Sequence, residues 1–364
     1  MTVAVAVSGG VDSSVAALLL KQAGYDVILV HMKFWSREEN ENSKDCYMAD
    51  VENACCSIEG ASYIVSISKL LKVPFFVLDA REYFKKQIVD YFIDGFENGR
   101  TPNPCLQCNK FVKFGYLYEK MKEFGVDKVA TGHFARIDYS QKNGKYMLLE
   151  SKDMNKDQTY FLSLLNQDIL SKTIFPIGDY TKSEIRDIAE AHGLRTARKA
   201  DSQELCFLNG MDYREFLKEY SKNMEEGGNI LTTGGKIVGT HTGLSKYTIG
   251  QKKGLFAKLP YAVYVIKKDV ERNELIVGEL SEFSTISFSI ENYSFISGNL
   301  KEDLAGKTVK IRYQGEKIPI INSENFEDGK IGITLGANAI GVSPGQAAVF
   351  YDGNICLGGG IICT

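Results

Sequence analysis

Three short segments carry residue types that can do chemistry. Residues 8–14 read Ser-Gly-Gly-Val-Asp-Ser-Ser, directly after an apolar run at Val3–Val7. Residues 102–109 read Pro-Asn-Pro-Cys-Leu-Gln-Cys-Asn, and residues 201–207 read Asp-Ser-Gln-Glu-Leu-Cys-Phe. The first segment suits phosphate binding, whereas the other two bring cysteine sulfur as a nucleophile or as a metal ligand.

The Ser-Gly-Gly segment joins a predicted strand to a predicted helix. Its glycines let the backbone approach a phosphate, and the helix N-terminus offers free N–H groups and the positive end of the helix dipole. Ser8, Ser13 and Ser14 add donors, and Asp12 is a candidate to hold a phosphate-bound metal. No Gly-Lys-Ser/Thr follows, so this is not a Walker A loop. The segment resembles the loop of PP-loop ATP pyrophosphatases, which cleave ATP between the α and β phosphates; the alternative is a glycine-rich turn without a ligand.

The Cys105–Cys108 pair has several explanations when taken alone: redox chemistry, metal binding or coincidence. We expect a helix to begin near Cys108, where free backbone N–H groups and two nearby lysines would lower the thiol pKa. Cys206 supplies a third sulfur. In a protein that adenylates its substrate, sulfur carried on a cysteine is a candidate nucleophile for the adenylated group.

The elements that must position these segments are predicted from periodicity and turn residues. The first third alternates strands and helices, which predicts a mainly parallel sheet covered on both faces, with ligands at the carboxyl ends of the strands. A hairpin follows at 134–150, turning at Asn143-Gly144, and short β runs dominate after Tyr261. The predicted strands are Val3–Val7, Val27–Met32, Pro74–Leu78, Lys128–Thr131, Ala262–Ile266, Glu274–Val277, Val309–Tyr313, Lys330–Thr334 and Ala347–Tyr351; the predicted helices are Asp12–Ala23, Asp50–Leu71, Glu82–Glu97, Asn109–Phe124, Asp157–Leu165, Thr181–His192 and Asp212–Tyr220.

The length of 364 residues predicts two or three domains. We divide the chain into a catalytic α/β domain at 1–210, a small central domain at 211–278 and a C-terminal β-barrel at 279–364. No apolar run is long enough for a membrane span and no signal peptide is evident, so we expect a cytoplasmic protein without membrane contact. Eight cysteines in that setting are expected to be mainly reduced.

The net charge of −3 excludes a uniformly basic nucleic-acid binder, but the distribution of charge is uneven. Between Gly227 and Lys268 there are seven lysines and no Asp or Glu. This lysine stripe fits a phosphate backbone, and it equally fits a solvated loop region.

An ordered set of motifs resembles one family closely. The set comprises Ser-Gly-Gly-Val-Asp-Ser-Ser at 8–14, His-Met-Lys-Phe-Trp at 31–35, Asn-Pro-Cys-Leu-Gln-Cys-Asn-Lys at 103–110, Ala-Thr-Gly-His-Phe-Ala-Arg at 130–136, Lys-Asp-Gln-Thr-Tyr-Phe-Leu at 156–162, Asp-Ser-Gln-Glu-Leu-Cys-Phe at 201–207 and Ser-Pro-Gly-Gln-Ala at 343–347. Together they are similar to the bacterial tRNA-specific 2-thiouridylases (the MnmA/TrmU family), from Met1 to about Tyr351. The resemblance implies a PP-loop domain of the adenine nucleotide α-hydrolase type, a small central domain and a C-terminal β-barrel.

The resemblance also implies an activity: ATP adenylates O2 of uridine 34 in a tRNA anticodon, and sulfur replaces that oxygen as AMP leaves. Cys108 falls at the nucleophile position and Cys206 at the position that carries a persulfide, with a transient disulfide between them. The implied ATP-binding residues are Ala6, Val7, Ser8, Gly9, Gly10, Val11, Asp12, Ser13, Met32 and Gly132, with Mg²⁺ as the metal. The implied contacts with the target base are Asn103, Pro104 and Cys105, and those with tRNA are His133, Lys156, Asp157, Gln158, Arg312, Tyr313 and Gln346. A persulfide-carrying protein is the implied sulfur donor.

One departure from the family pattern leaves two mechanisms open. Many members carry Asp-x-x-Cys where this chain has Cys105-x-x-Cys108. In the persulfide mechanism Cys206 carries the sulfur and Cys108 releases it. In the alternative, Cys105, Cys108 and Cys206 hold a [4Fe-4S] cluster that leaves one iron open for sulfide.

Two other classes of function compete with the tRNA thiolase. A small-molecule amidotransferase-type synthetase would use the same ATP loop, but it needs an ammonia source, and this chain has no recognisable glutaminase domain. The other class is a non-enzymatic iron–sulfur or RNA-binding protein in which the phosphate loop no longer binds ATP. The retained Asp12 and Ser13 argue against this class.

Overall fold

The computed structural model of the protein describes residues 1–35, 58–200, 205–208, 210–221, 226–255, 257, 259–299 and 302–363. Cys46, Cys55, Cys56 and Lys258 therefore lie outside the described residues, as do residues 201–204 of the motif around Cys206. Within the described ranges, no helix has the length and apolar character to cross a membrane.

The N-terminal part of the chain contains a parallel sheet with helices on both faces, as the alternating pattern predicts. The strands of this part are β1 Thr2–Ala6, β2 Asp26–Lys33, β3 Phe75–Asp79, β4 Lys128–Ala130, β5 Arg136–Ser140, β6 Lys145–Leu149 and β7 Thr173–Ile174. Five of them form the sheet, in the order β3-β2-β1-β4-β7. The first strand thus lies between β2 and β4, and the chain runs outward to both sides of it, which places a ligand crevice at its carboxyl end.

Most described helices lie close to their predicted positions. The predicted helix Asp157–Leu165 is shorter, at Thr159–Leu162, the helix Gln167–Ser171 was not predicted, and the start of the predicted helix Asp50–Leu71 lies outside the described residues. Residues 81–97 form one helix with a π-helical turn at Lys85–Val89, and residues 104–122 form another with a π-helical stretch at Cys108–Tyr116. The α-helical segments are α1 Val11–Gln22, α2 Ile58–Leu71, α3 Arg81–Phe84, α4 Asp90–Glu97, α5 Pro104–Gln107, α6 Leu117–Lys122, α7 Thr159–Leu162, α8 Gln167–Ser171, α9 Lys182–Ala191 and α10 Tyr213–Tyr220.

Alternate side chains of β1 pack into two separate cores. Val3 and Val5 belong to a cluster that includes Val15 of α1, whereas Ala4 belongs to a cluster that includes Phe84 and Cys108. Because successive strand residues point to opposite faces, this pattern is expected for a strand that is covered on both sides. The core that encloses Cys108 therefore lies against the same strand that ends in the Ser-Gly-Gly loop.

The central part is a small four-stranded sheet in the order β10-β11-β8-β9. Val265, Leu275 and Val277 fill its core. A short 3₁₀ turn lies at Leu244–Lys246. The strands are β8 Gly228–Thr232, β9 Ile237–His241, β10 Tyr264–Asp269 and β11 Glu274–Gly278.

The C-terminal part is a closed barrel of six strands, because β12 pairs with both β15 and β17. This confirms the predicted fold class. The strands are β12 Ser284–Phe295, β13 Thr308–Lys310, β14 Ile318–Asn325, β15 Ile331–Ile340, β16 Ala347–Asp352 and β17 Ile355–Ile362.

One feature of the barrel is not predicted from the sequence. The β5–β6 hairpin, which the sequence places in the first domain, joins the barrel sheet: Leu149 pairs with Ile355 and Leu148 with Cys356. Leu148 is fully buried. The first domain and the barrel thus share one continuous sheet.

Candidate functional site

The loop between β1 and α1 has the geometry of an anion site. Gly9 has φ +70°, and Gly10 caps α1 without a side-chain hydrogen bond to the helix N-terminus. The Oγ of Ser13 accepts from the Ser8 amide at 3.3 Å, and the Oγ of Ser14 donates to the Gly10 carbonyl at 2.6 Å. The hydroxyl groups of Ser13 and Ser14 therefore stabilise the loop conformation. Gly10, at the cap position, has no side chain to occupy the free N–H groups at the start of α1, so these groups are open to a phosphate.

Gly132 brings the end of β4 into contact with this loop. A Cβ at position 132 would lie 2.5 Å from the Ser13 amide nitrogen and 2.6 Å from the carbonyl carbon of Asp12. Met32, near the end of β2, is buried on the other side of β1. The structure thus gathers the three predicted ATP-binding segments at the carboxyl ends of adjacent strands.

Two lysines that sequence reasoning missed flank the loop. The Nζ of Lys182 donates to both carboxylate oxygens of Asp12, at 2.7 and 2.9 Å. The Nζ of Lys199 donates to the Gly9 carbonyl at 3.1 Å. Lys182 begins α9, and the only sequence signal was the capping box from Thr181 to Glu184 that starts this helix. The loop is therefore bordered by positive charge, and the Asp12 carboxylate, a predicted metal ligand, makes an ion pair with Lys182.

The helix that carries the cysteine pair begins earlier than the sequence predicts. Pro104 occupies its first turn, since Asn103 is still extended (φ −110°, ψ 92°), and proline needs no amide donor there. Cys105 therefore lies in the first turn, whereas Cys108 lies a turn later at the start of the π-helical stretch. The expected lowering of the Cys108 pKa by free amides is wrong in its premise, because Cys108 is not at the helix N-terminus.

The two sulfurs of this helix differ in environment. Burial raises the pKa of the Cys105 thiol, and the positive charge of Lys113 partly offsets that effect. Cys108 is 6% exposed and packs in the core with Leu106 and Val112. The Cys108 sulfur therefore reacts only with a group that enters this core.

Cys206 is exposed and belongs to a described stretch at residues 205–208. The next residue, Phe207, is buried and meets the rings of Phe84, Phe92 and Phe216 edge-on. Phe207 and Cys108 belong to the same hydrophobic cluster. The aromatic anchor thus fixes the segment of Cys206 over the core that encloses Cys108.

The described residues do not gather a metal site. No group of three His, Cys, Asp or Glu side chains within the described ranges is arranged to hold a metal ion. Cys105 and Cys108 share one helix, and Cys206 is on the surface of a different segment. The described residues thus show no preformed cluster site, and the iron–sulfur cluster stays a prediction.

His133 is a core residue. It is 9% exposed, contacts the rings of both Phe114 and Phe175, and has Nδ1 2.7 Å from the Thr131 hydroxyl oxygen. Burial, together with the charge of Lys113, lowers its pKa well below the usual value. The enclosed, neutral imidazole offers a phosphate no positive charge, and the contact of His133 with tRNA stays a prediction.

Asp157 and Gln158 also serve the fold. The Asp157 carboxylate accepts from the Ser151 amide at 3.0 Å and from the Thr159 hydroxyl at 2.6 Å, and burial raises its pKa. Gln158 accepts from the Phe134 amide at 2.9 Å. Lys156, the first residue of the Lys-Asp-Gln triplet, is half-buried, and its positive charge makes it the member best suited to meet a phosphate.

Arg312 and Tyr313 lie in a turn just after β13, not in the strand that the sequence predicts. Arg312 is exposed and donates to the Gly341 carbonyl at 3.2 Å. Tyr313 packs against Phe161 with ring centroids 4.5 Å apart. Arg312 is thus exposed and Tyr313 is half-enclosed by the first domain, and the contact of both residues with tRNA stays a prediction.

The lysine stripe divides into two environments. Lys246 and Lys253 line a cavity of about 410 Å³, together with Arg214, Tyr247 and Gln251. The described lining includes no acidic side chain, although Arg214 pairs with Asp212 at 3.2 Å. Lys268, in contrast, is 6% exposed; its Nζ lies 5.1 Å from the Phe96 ring centroid and 3.3 Å from the Tyr247 carbonyl. The last lysine of the stripe therefore joins the central domain to the first domain.

Lys268→Met is expected to remove a pH dependence of stability. Burial lowers the Lys268 pKa to about 8, so between that value and 10.5 the unfolded chain holds a proton that the native protein has lost. The wild type should therefore gain about 2 kcal/mol in free energy of unfolding, relative to the Met variant, between pH 7 and about 9.5. Urea denaturation of both proteins at the two pH values measures this. The exposed neighbour provides the control, Lys267→Met, and an unchanged pH dependence in Lys268→Met contradicts the prediction.

The site and the fold together define a nucleotide-binding HUP-domain protein with two appended β domains. Sequence models match three stretches in turn: the tRNA methyl transferase HUP domain at 1–210, the tRNA methyl transferase PRC-barrel domain at 214–279 and the aminomethyltransferase β-barrel domain at 286–362. The chain is 40% identical over 360 residues to the tRNA-specific 2-thiouridylase MnmA of Clostridioides difficile (strain 630), covering 99% of this chain and 97% of that protein. It is 39% identical over 359 residues to the MnmA of Moorella thermoacetica, covering 98% of each. The chain belongs to the tRNA-specific 2-thiouridylase family.

Proposed function

We propose that this protein converts uridine 34 of tRNA into 2-thiouridine, using ATP and a cysteine-borne sulfur. The observation that carries the proposal is the arrangement of three parts around one core. The phosphate loop ends β1, Ala4 of that strand and Cys108 belong to one hydrophobic core, and Phe207 anchors Cys206 over the same core. ATP activation and sulfur delivery thus converge on one place.

The first step in this proposal is adenylation of the base. O2 of the uracil attacks the α-phosphorus of ATP, the bond to the β-phosphate breaks, and pyrophosphate leaves. In this proposal the loop amides and the nearby amine of Lys199 hold the phosphates, and Mg²⁺ would supply further charge neutralisation when bound. Adenylation is needed because a carbonyl oxygen is a poor leaving group and AMP is a good one.

The second step is sulfur transfer. The terminal sulfur of a persulfide on Cys206 attacks C2 and AMP leaves, so the base is briefly joined to Cys206 through a disulfide. The Cys108 thiolate then attacks the Cys206 sulfur, which releases 2-thiouridine and forms a Cys108–Cys206 disulfide. A dithiol reductant restores both thiols, and a persulfide-carrying protein reloads Cys206.

The residue types favour sulfur over methyl as the transferred group. The sequence models carry a methyl transferase description, whereas the relatives are described as thiouridylases. A methyl transfer needs neither an ATP-cleaving loop nor a pair of placed cysteines, and this chain has both. The iron–sulfur version is the alternative to the persulfide mechanism. Iron and sulfide analysis after anaerobic purification tests it, and full activity without iron removes it.

We infer that tRNA lies across the central domain and the barrel, with the target base near Asn103, Pro104 and Cys105. Support comes from the basic cavity of the central domain and from the exposed guanidinium of Arg312. Lys156 is a further candidate contact. A reaction on tRNA also supports a cytoplasmic location for the protein.

The double substitution Lys246→Gln/Lys253→Gln is expected to weaken tRNA binding and to lower its dependence on salt. Both amines line the basic cavity, and removal of each amine that meets a phosphate should reduce the slope of log K against log salt by about one. Filter binding at several salt concentrations measures both quantities. The matched control is Lys236→Gln, which changes an exposed lysine outside the cavity. If the double variant has the same slope as the wild type, the lysine stripe is a solvated loop region and not a tRNA contact.

One assay tests the proposed function as a whole. The purified protein is incubated with ATP, Mg²⁺, a persulfide donor and an unmodified tRNA that bears U34, and both 2-thiouridine and AMP are quantified. We expect both products in equal amounts. AMP without thiolated base would favour a different ATP-using synthetase, and the absence of both products would favour a binding protein without enzymatic activity.

A further inference from the structure

The segment that leads into the cysteine helix is held by the C-terminal barrel. The Thr101 amide donates to the Pro344 carbonyl at 2.8 Å, and the Nε2 of Gln346 donates to the Thr101 carbonyl at 2.8 Å. Both backbone polar groups of one residue are therefore bound by residues 344–346. We call residues 343–346 the strap.

The strap comes close to Thr101 only because glycine, Gly345, lies between Pro344 and Gln346, the two residues that bond to Thr101. A Cβ on Gly345 would lie 2.9 Å from the backbone N, C and O of Thr101, and Gly345 has φ +93°. Both the space and the backbone conformation exclude a larger residue. The strap is thus shaped to fit Thr101.

The strap is itself fixed within the barrel. The Gly345 amide donates to the Ile362 carbonyl at 2.8 Å, and the Ile362 amide donates to the Gln346 carbonyl at 2.8 Å. Ile362 is fully buried at the end of β17. A second tie lies next to Thr101, where Arg100 pairs with Glu291 of β12 at 2.9 Å. The barrel therefore acts as a rigid support for Arg100 and Thr101.

Two prolines transmit that support to the helix. Pro102 and Pro104 follow Thr101, each with a fixed φ, and both are buried. Because only Asn103 lies between them, a displacement of Thr101 moves the start of the helix that carries Cys105 and Cys108. A shift of about 1 Å at a reacting group costs on the order of a hundredfold in rate.

We propose that Gln346 is a positioning residue for the cysteine helix, acting through Thr101. The proposal rests on the proposed thiolation activity. The Nε2 of Gln346 donates to the Thr101 carbonyl at 2.8 Å in the protein without RNA. The barrel thereby sets the place of the sulfur nucleophile in the first domain.

Gln346→Leu tests this proposal, since it keeps the bulk of the side chain and removes the donor. We expect the single-turnover rate of thiolation at saturating tRNA to fall about tenfold to a hundredfold, with the Kd for tRNA unchanged within about twofold. Gln346→Lys, which retains a donor, should recover most of that rate. A raised Kd with an unchanged rate at saturation would overturn the proposal and assign Gln346 to tRNA binding.

A readout without tRNA accompanies the kinetics. Alkylation of Cys108, followed by mass spectrometry of its peptide, should be faster in Gln346→Leu than in the wild type, whereas alkylation of Cys356, which is buried in β17, should not change. Gly345→Ala should reproduce both effects, with thermal melting as the check on folding. Equal alkylation of Cys108 in all proteins contradicts the proposal. If the wild type makes no 2-thiouridine, the proposed function fails, and the alkylation result still decides the role of Gln346.

Discussion

Cys108→Ser is expected to abolish formation of 2-thiouridine, with a loss of at least about a thousandfold, while AMP is still formed in the presence of tRNA. The reason is that a serine hydroxyl, unlike a thiolate, does not attack a disulfide sulfur. The base should then remain joined to Cys206 and accumulate as a protein–tRNA adduct that a reductant releases. Denaturing gels with labelled tRNA measure the adduct, and nucleoside analysis measures the product.

Cys206→Ser should give the same loss of product without an adduct, because no sulfur is carried. The matched control is Cys363→Ser: this sulfur lies outside the core around Cys108 and donates to the Ser289 carbonyl at 3.4 Å. We expect wild-type activity from the control. Wild-type activity in Cys108→Ser or Cys206→Ser contradicts the assigned roles.

Cys105 separates the two mechanisms. Cys105→Asp restores the residue that many family members carry, at a position in the first helical turn where an acidic side chain is favourable. The persulfide mechanism expects this variant to stay active. A complete loss of activity, together with loss of bound iron, would instead support the cluster.

Gly132→Ala is expected to have the second largest effect. The new Cβ would lie 2.5 Å from the Ser13 amide nitrogen, and its three nearest atoms all belong to the backbone between Asp12 and Ser13, so no flexible side chain can give way. Overpacking of this kind costs about 1–3 kcal/mol, so the Kd for ATP should rise about tenfold to a hundredfold. Both AMP and 2-thiouridine should fall together at limiting ATP.

Titration of ATP binding measures the effect directly, and Gly234→Ala serves as its control. A Cβ at Gly234 meets only the Thr232 hydroxyl, at 3.8 Å, among the described atoms of the central domain. This variant should bind ATP as the wild type does. An unchanged Kd in a folded Gly132→Ala protein would show that the two loops do not form one ATP site.

Local signals were sufficient for the phosphate loop. The predicted strand Val3–Val7 and helix Asp12–Ala23 differ from β1 and α1 by one residue at each end. An apolar run, paired glycines and a stop at Gly24 determine these elements without help from the rest of the chain. The same holds for the Asn143-Gly144 hairpin and for the capping box of α9.

Contacts between distant residues were not predictable in the same way. No pattern around Lys182 indicates that its amine reaches Asp12, and the lysine stripe does not reveal that Lys268 points inward. The predicted start of the cysteine helix near Cys108 is too late, because proline disrupts a helix interior but fits the first helical position, which Pro104 occupies. Burial of His133 and Asp157 likewise depends on elements that pack against them from elsewhere in the chain.

The shared sheet has a consequence for synthesis of the chain. Leu149 of β6 finds its partner, Ile355 of β17, only when the last strand of the barrel has been made. The ribosome therefore releases a first domain whose β6 edge has unsatisfied backbone groups, and such an edge invites pairing with other chains. In a cell, we expect chaperones to bind the chain before β17 has been made, and we expect fragments truncated at the C-terminus to aggregate slowly.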